Sequence, residues 1–198
     1  MTGESAPLRI GVLAIQGDYA AHAQALVESG ASPVEVRKPE ELESLDGLVL
    51  PGGESTTMLK FLERRRFFDD LKRFCGTRPV FGTCAGAILL AREVRNPSQR
   101  SLGVLDAVVE RNAFGRQIDS SILSGETALS GGPLEMVFIR APRILEVGAG
   151  VNVLARRDGL PALVRQGNVM AATFHPELST DRRVHRAFVD LVAGLRRK

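Results

Sequence analysis

The chain has 198 residues and a mass of 21.4 kDa, which suits one domain with a full-sized core and leaves no expectation of a second. Hydrophobic residues make up 44% and charged residues 25%, close to globular averages, which excludes a disordered or fibrous habit. The formal charge of +3 comes from 26 basic and 23 acidic residues that are interspersed, and no apolar run approaches the ~18 residues of a bilayer span, so neither nucleic acid nor membrane is an expected partner.

The segment Met1 to Pro7 has no hydrophobic stretch and the first apolar run is short, so a signal peptide is not expected and a cytosolic location is. Leu8 to Ile15 reads as a buried strand, followed by a helix from Asp18 to Ser29 that stops near Gly30. Strands are expected at Pro33 to Arg37 and Gly47 to Leu50. Pro51-Gly52-Gly53 is a sharp turn, and Ser55 is a suitable N-cap for one amphipathic stretch running through Phe74. Pro79 to Thr83 is a strand again, and Gly86 to Arg92 opens a helix.

After Gly103 the pattern becomes β-rich, with runs at Val104 to Arg111, Ser120 to Leu129, Leu134 to Arg140 and Val151 to Arg157. Leu160 to Arg165 and Asn168 to Phe174 flank Gln166-Gly167 as a hairpin, and a helix from Thr180 to Leu195 ends the chain. Alternating strands and helices, then strands, predict an α/β domain with a mostly parallel central sheet and an added antiparallel β patch. The basic clusters Arg64-Arg65-Arg66, Arg182-Arg183 and Arg196-Arg197-Lys198 read as solvated faces.

Gly82-Thr83-Cys84-Ala85-Gly86 falls between an expected strand and an expected helix, in the G-x-nucleophile-x-G form of an elbow that presses a side chain out of a strained turn. A helix N-terminus favours negative charge, so a lowered thiol pKa is expected for Cys84. An inert cysteine in a Gly-rich turn is the competing reading. Cys75, the other of two cysteines, reads as a helix-end thiol, and no structural disulfide is expected.

A nucleophilic thiol needs a base and a group that orients the base. His175-Pro176-Glu177 offers both within three residues, directly after an expected strand. His22 and His185 lie inside expected helices without a neighbouring carboxylate and read as structural. With no Cys-x-x-Cys and only three scattered histidines, no metal site is expected. Donors for an oxyanion are expected from the backbone N–H groups of Gly53 and Ala85, against the alternative of an ordinary Gly-Gly turn.

This set resembles the class I, triad-type glutamine amidotransferases, which carry an elbow cysteine and a C-terminal His-x-Glu on a flavodoxin-like three-layer sandwich. Within that class, IGVLAIQGD from Ile10, LPGGESTT from Leu50, FGTCAG from Phe81, RNAFGRQ from Arg111, FIRAP from Phe138 and HPEL from His175 resemble the glutaminase subunits of pyridoxal phosphate synthase. The resemblance runs from about residue 8 to 190. It departs at Ser121-Ile122, where an aromatic and an acidic residue are usual, and at the variable stretch Ser130 to Pro133.

The resemblance implies catalysis by Cys84, His175 and Glu177, with L-glutamine bound by Gly52, Gly53, Glu54, Arg111, Ile139 and Arg140. Arg111 suits the substrate carboxylate and Glu54 its ammonium. Gln16 would lie near the oxyanion side and the interface with a synthase subunit in a hetero-oligomer that makes pyridoxal 5'-phosphate, and this subunit would need no cofactor. Two alternatives stay open: a glutaminase subunit of another synthase, such as imidazole glycerol phosphate synthase, and a redox-sensing or binding protein of the same fold. A peptidase of related fold is a third, set against a pocket suited to a free amino acid.

Overall fold

The computed structural model describes residues 6–112 and 120–196, so residues 113–117 of the RNAFGRQ block and the tail residues Arg197-Lys198 lie outside the described residues. Strand β1 (Arg9–Leu13) is buried along its apolar length, as expected for a parallel strand covered by helices on both faces. Helix α1 (Tyr19–Glu28) is opened by Asp18, whose carboxylate accepts from the Ala21 N–H at 3.3 Å. Strands β2 (Ser32–Val36) and β3 (Gly47–Leu50) follow.

The single stretch expected from Ser55 to Phe74 is two helices, α2 (Ser55–Arg64) and α3 (Phe67–Thr77), broken where Arg66 takes a left-handed φ of 54°. Both bury their apolar faces in one core with Met58, Leu62, Phe67 and Leu71, so the hydrophobic period carries across the break and conceals it. The cap is Glu54 in place of Ser55. Its carboxylate accepts from the N–H groups of Thr56 and Thr57, while Ser55 is already helical and its hydroxyl donates to Gln99 at 3.0 Å.

Strand β4 (Val80–Thr83) leads into α4 (Ala85–Leu90), shorter than expected because the chain becomes extended at Ala91 and forms β5 (Ala91–Arg95). There follow β6 (Leu105–Glu110), β7 (Ser120–Gly125), β8 (Leu134–Ile139), β9 (Arg143–Val147), β10 (Asn152–Arg157), β11 (Leu160–Gln166) and β12 (Val169–Ala172). Strand β9, hidden in sequence between Pro142 and Gly148, exists by pairing antiparallel to β6. Helix α5 (Arg183–Arg196) starts three residues later than expected, because Pro176–Leu178 forms a 3-10 turn and Asp181 accepts from the Arg183 N–H at 3.1 Å.

The inner strands run parallel in the order β2-β1-β3-β4-β12, the 2-1-3-4-5 order of flavodoxin-like sheets. The expected β11-β12 hairpin, extended by β10, adds an antiparallel edge, while β5-β6-β9 and β7-β8 form separate small sheets. One core packs beneath α2, α3 and α4; another joins Ile10, Val12 and Phe81 to Leu26 of α1 and Phe188 of α5. The order reverses between β1 and β3, so a crevice opens at the C-terminal ends of the strands, where the β1, β3, β4 and β12 connections emerge.

Arg182-Arg183 is not a solvated face. Arg182 pairs with Glu28 of α1, and Arg183 pairs with Asp181 and donates to the carbonyls of Ser130, Gly132 and Pro133 at 3.1, 2.7 and 2.6 Å. It thereby holds the Gly-rich loop before β8. Arg183→Ala is expected to lower stability in urea unfolding by about 1 to 2 kcal/mol, the net value of a few charge-assisted hydrogen bonds at a half-buried site. A change near zero would mean that water serves those carbonyls equally well.

Candidate active site

Cys84 stands between β4 and α4 with φ 47° and ψ −102°, a conformation that a non-glycine residue keeps only when its surroundings impose it. Its N–H donates to the carbonyl of Ala172 on β12 at 2.9 Å, which ties the turn to the neighbouring strand. The elbow is tightened from below at Gly86, where a Cβ would lie 2.0 Å from the carbonyl oxygen of Leu50 on β3. The expected elbow is present.

His175 arrives from β12. Thr173 and His175 donate their N–H groups to the carbonyls of Ala162 and Val137, both at 2.8 Å, fixing the segment between β11 and β8. Pro176 then starts the 3-10 turn that folds Glu177 back beside the ring, where its Oε1 lies 2.8 Å from His175 Nδ1. Cys84 borders the same cavity as the ring and interacts with it, so the imidazole stands between thiol and carboxylate.

Burial opposes a charged His175 ring, but the hydrogen bonds and charges of Cys84 and Glu177 outweigh it and raise the pKa to about 10. A folded value above the unfolded ~6.5 stabilises the fold fully below pH ~6.5, and that contribution is lost as pH rises through the folded pKa. Between pH 7 and 10, wild type is therefore expected to lose more unfolding free energy than His175→Gln. Parallel loss in both proteins would contradict a charged ring.

Gly52 packs on the histidine, since a Cβ there would lie 2.5 Å from its Cε1. Gly53 adopts a φ of 129°, and Gln16 packs against it while donating from its side-chain amide to the Glu54 carbonyl. Gln16 thus holds the loop after β3. Arg111, buried at the end of β6, lies 3.4 Å from the Glu54 carboxylate, so the guanidinium and carboxylate singled out in sequence meet each other. Burial opposes the charged Glu54 carboxylate, but the hydroxyl and N–H groups of Thr56 and Thr57 outweigh it and hold the pKa down to about 2.

These residues border two adjoining cavities. One of about 430 Å³ is lined by Gly52, Gly53, Cys84, Ile139, Arg140 and His175; a smaller one of about 140 Å³ shares Gly53, Glu54, Cys84 and Arg140 with it and adds Arg111. Arg140, at the rim, has a left-handed φ of 44° like the nucleophile candidate. Another groove of about 440 Å³, between Pro39 and Phe74, has neither cysteine nor histidine in its lining. Among the described residues no group of His, Cys, Asp and Glu could hold a metal ion, and no helix is long and apolar enough to cross a membrane.

Sequence reasoning missed what stands behind Glu177. His22 of α1, read as lacking a carboxylate neighbour, has its Nε2 3.2 Å from Glu177 Oε2 and 3.0 Å from Thr83 Oγ1. Its Nδ1 lies 3.1 Å from His185 Nε2 on α5. Both rings are fully buried. The partners are separated by 155 and 163 positions along the chain, too far for any local pattern to signal the contact.

Cysteine elbows serve several reactions, but here the elbow ends the fourth strand of a 2-1-3-4-5 sheet and faces a histidine whose carboxylate follows it by two residues. That combination defines the class of the glutamine amidotransferases. Within it, the chain belongs to the SNO glutamine amidotransferase family, whose model matches residues 12–193.

Curated relatives agree. The chain is similar to the pyridoxal 5'-phosphate synthase subunit PdxT of Koribacter versatilis, 60% identical over 185 residues that cover 93% of this chain and 96% of that one. The PdxT of Thermotoga maritima is 49% identical, with 93% and 100% covered. A crystal structure of a glutamine amidotransferase superposes with a TM-score of 0.86 at 50% identity, covering 93% of this chain and 98% of that one.

Proposed function

We propose that this chain is the glutaminase subunit of pyridoxal 5'-phosphate synthase, hydrolysing L-glutamine to L-glutamate and passing the ammonia to a synthase subunit. The observation that carries the reading is the line Cys84–His175–Glu177 at the sheet crevice, in a chain 60% identical to a PdxT. The branch is supported by that identity, since the three residues alone would serve any glutamine amidotransferase.

In this reading the Cys84 thiolate attacks the side-chain amide carbon, forming a C–S bond, while the N–H groups of Gly53 and Ala85 hold the oxyanion. His175 donates its proton to the amide nitrogen, the C–N bond breaks and ammonia leaves. Water then adds to the thioester with His175 as base, and the C–S bond breaks to release glutamate. Glu177 keeps the ring in its Nδ1–H tautomer throughout.

The adjacency of Glu54 and Arg111 supports an α-amino acid as substrate. Its ammonium and carboxylate sit on one carbon, so the groups that receive them must be neighbours, and a zwitterion can insert between this pair. Gly52, Ile139 and Arg140 would complete the substrate pocket, and Gln16 would connect the loop after β3 to the synthase interface.

The test is glutamate release from L-glutamine by the purified chain, alone and with a pyridoxal 5'-phosphate synthase partner. Release that rises with the partner supports both chemistry and branch. Release without any response to the partner would retain the amidase and remove this synthase as its recipient.

A further inference from the structure

The carboxylate of Glu177 has two oxygens, and only one faces His175. Oε1 takes the His175 Nδ1–H at 2.8 Å, whereas Oε2 points into the protein, wholly buried, with His22 Nε2 at 3.2 Å. The hydrogen bond of His22 Nε2 goes to Thr83 Oγ1 at 3.0 Å, so Glu177 Oε2 lies beside the imidazole nitrogen without a hydrogen-bond partner among the described residues. A buried carboxylate oxygen without a donor is costly, so the imidazole nitrogen 3.2 Å from it carries weight.

We infer that His22, backed by His185, is a positioning residue that holds the rear oxygen of Glu177 and so keeps the front oxygen on His175. The inference rests on the assignment of Cys84, His175 and Glu177 as the reacting line.

The proton count supports one arrangement. If His22 Nε2 carried a lone pair, even one that accepted from the Thr83 hydroxyl, two electron-rich atoms would lie 3.2 Å apart in a dry site and His185 Nδ1 would be left with a buried unpaired hydrogen. Nε2 therefore carries the hydrogen and Nδ1 accepts from His185 Nε2–H at 3.1 Å. His185 Nδ1 is left as an acceptor without a partner, a smaller cost than a buried unpaired N–H.

The phenyl ring of Phe81 stands edge-on to both imidazoles, with centroids at 6.4 and 6.1 Å, and holds them in place. Both rings are neutral. Burial, with the neighbouring His185 and His175 rings, keeps His22 well below its usual value, and burial together with Arg182 pushes His185 down to about 3. A neutral donor orients Glu177 without cancelling its charge, which a lysine or arginine in the same place would do. The full carboxylate charge stays available to His175.

Gln and Asn at position 22 separate the contacts of the ring. Gln carries its amide nitrogen to about the place of Nε2 and reaches Glu177; Asn carries it toward Nδ1 and reaches only His185. Each variant is followed by thermal unfolding, by iodoacetamide alkylation of Cys84 at pH 7 with Cys84→Ala as blank, and by glutamine hydrolysis in the complex with the synthase. His22→Asn is expected to slow alkylation and kcat by about 10- to 100-fold with KM within about threefold, the rate equivalent of a hydrogen bond to a charged group. His22→Gln recovers most of that loss, and His22→Asn adds nothing further in a Glu177→Gln background.

Equal losses in both variants at matched stability, or full additivity with Glu177→Gln, would overturn the inference. Should His22→Asn not fold, the comparison moves to His185, where Gln keeps an N–H toward His22 and Leu does not; an unchanged alkylation rate in both would overturn it equally. If wild type releases no glutamate, the proposed activity fails separately, because the alkylation series reads the thiol without glutamine.

Discussion

Cys84→Ala is expected to cut glutamate release from L-glutamine by at least about 10⁴-fold while leaving the melting temperature within about 2 °C. The first half follows from chemistry: without the sulfur no thioester forms, and the remaining groups can only bind and polarise the amide. The second half follows from packing. Removing one sulfur atom leaves the N–H bond to Ala172, which ties the turn to β12, and leaves the Gly86 contact beneath it.

The same substitution should change its neighbour. The bond and charge of Cys84 lead the influences that raise the His175 pKa, so in Cys84→Ala that pKa is expected to fall, as read by NMR of the ring. Glutamate release above about 1% of wild type would remove Cys84 as the nucleophile, since triad-type nucleophile deletions cost far more. An unmoved His175 pKa would contradict the pairing of Cys84 with the His175 ring, whatever the activity.

What could be read in sequence divides along one physical line. The elbow, the His175-Pro176-Glu177 unit and the turn after β3 were legible because each is set by residues within a few positions: a strand end, a glycine, a proline. The parallel sheet was legible because apolar runs separated by helices have few other solutions. The break at Arg66 was not, because two helices buried against one core keep one hydrophobic phase. Nor was the cap: Ser55 has the better propensity, but Glu54 reaches four donors on Thr56 and Thr57 and wins by geometry.

The contacts behind the site were the least legible. His22 meets Glu177 where α1 packs on the 3-10 turn after β12, and His185 where α1 packs on α5, so only the three-dimensional arrangement distinguishes a positioning imidazole from a core histidine. Arg183 offers the same lesson on the surface. As one of a pair of arginines it looked solvated, yet three backbone carbonyls of the loop before β8 fix it. The RNAFGRQ block resembles its branch in sequence, but of its residues only Arg111 and Asn112 lie among those described.

Gly86→Ala is expected to fail differently from Cys84→Ala, although the residues are two apart. The added methyl would lie 2.0 Å from the Leu50 carbonyl oxygen and 2.8 Å from its carbon, both backbone atoms of a central strand with no rotamer to yield. Either α4 must lift or β3 must bend. Overpacking of this kind costs about 3 kcal/mol or more, a fall of roughly 6 to 12 °C in melting temperature for a chain of this size. Activity should fall with it, by about 100-fold in the fraction that stays folded, because a displacement near 1 Å between nucleophile and base is enough. If Gly86→Ala unfolds like wild type, the close approach of α4 to β3 does not set the elbow, and the strained φ of Cys84 must be held by its bond to β12 alone.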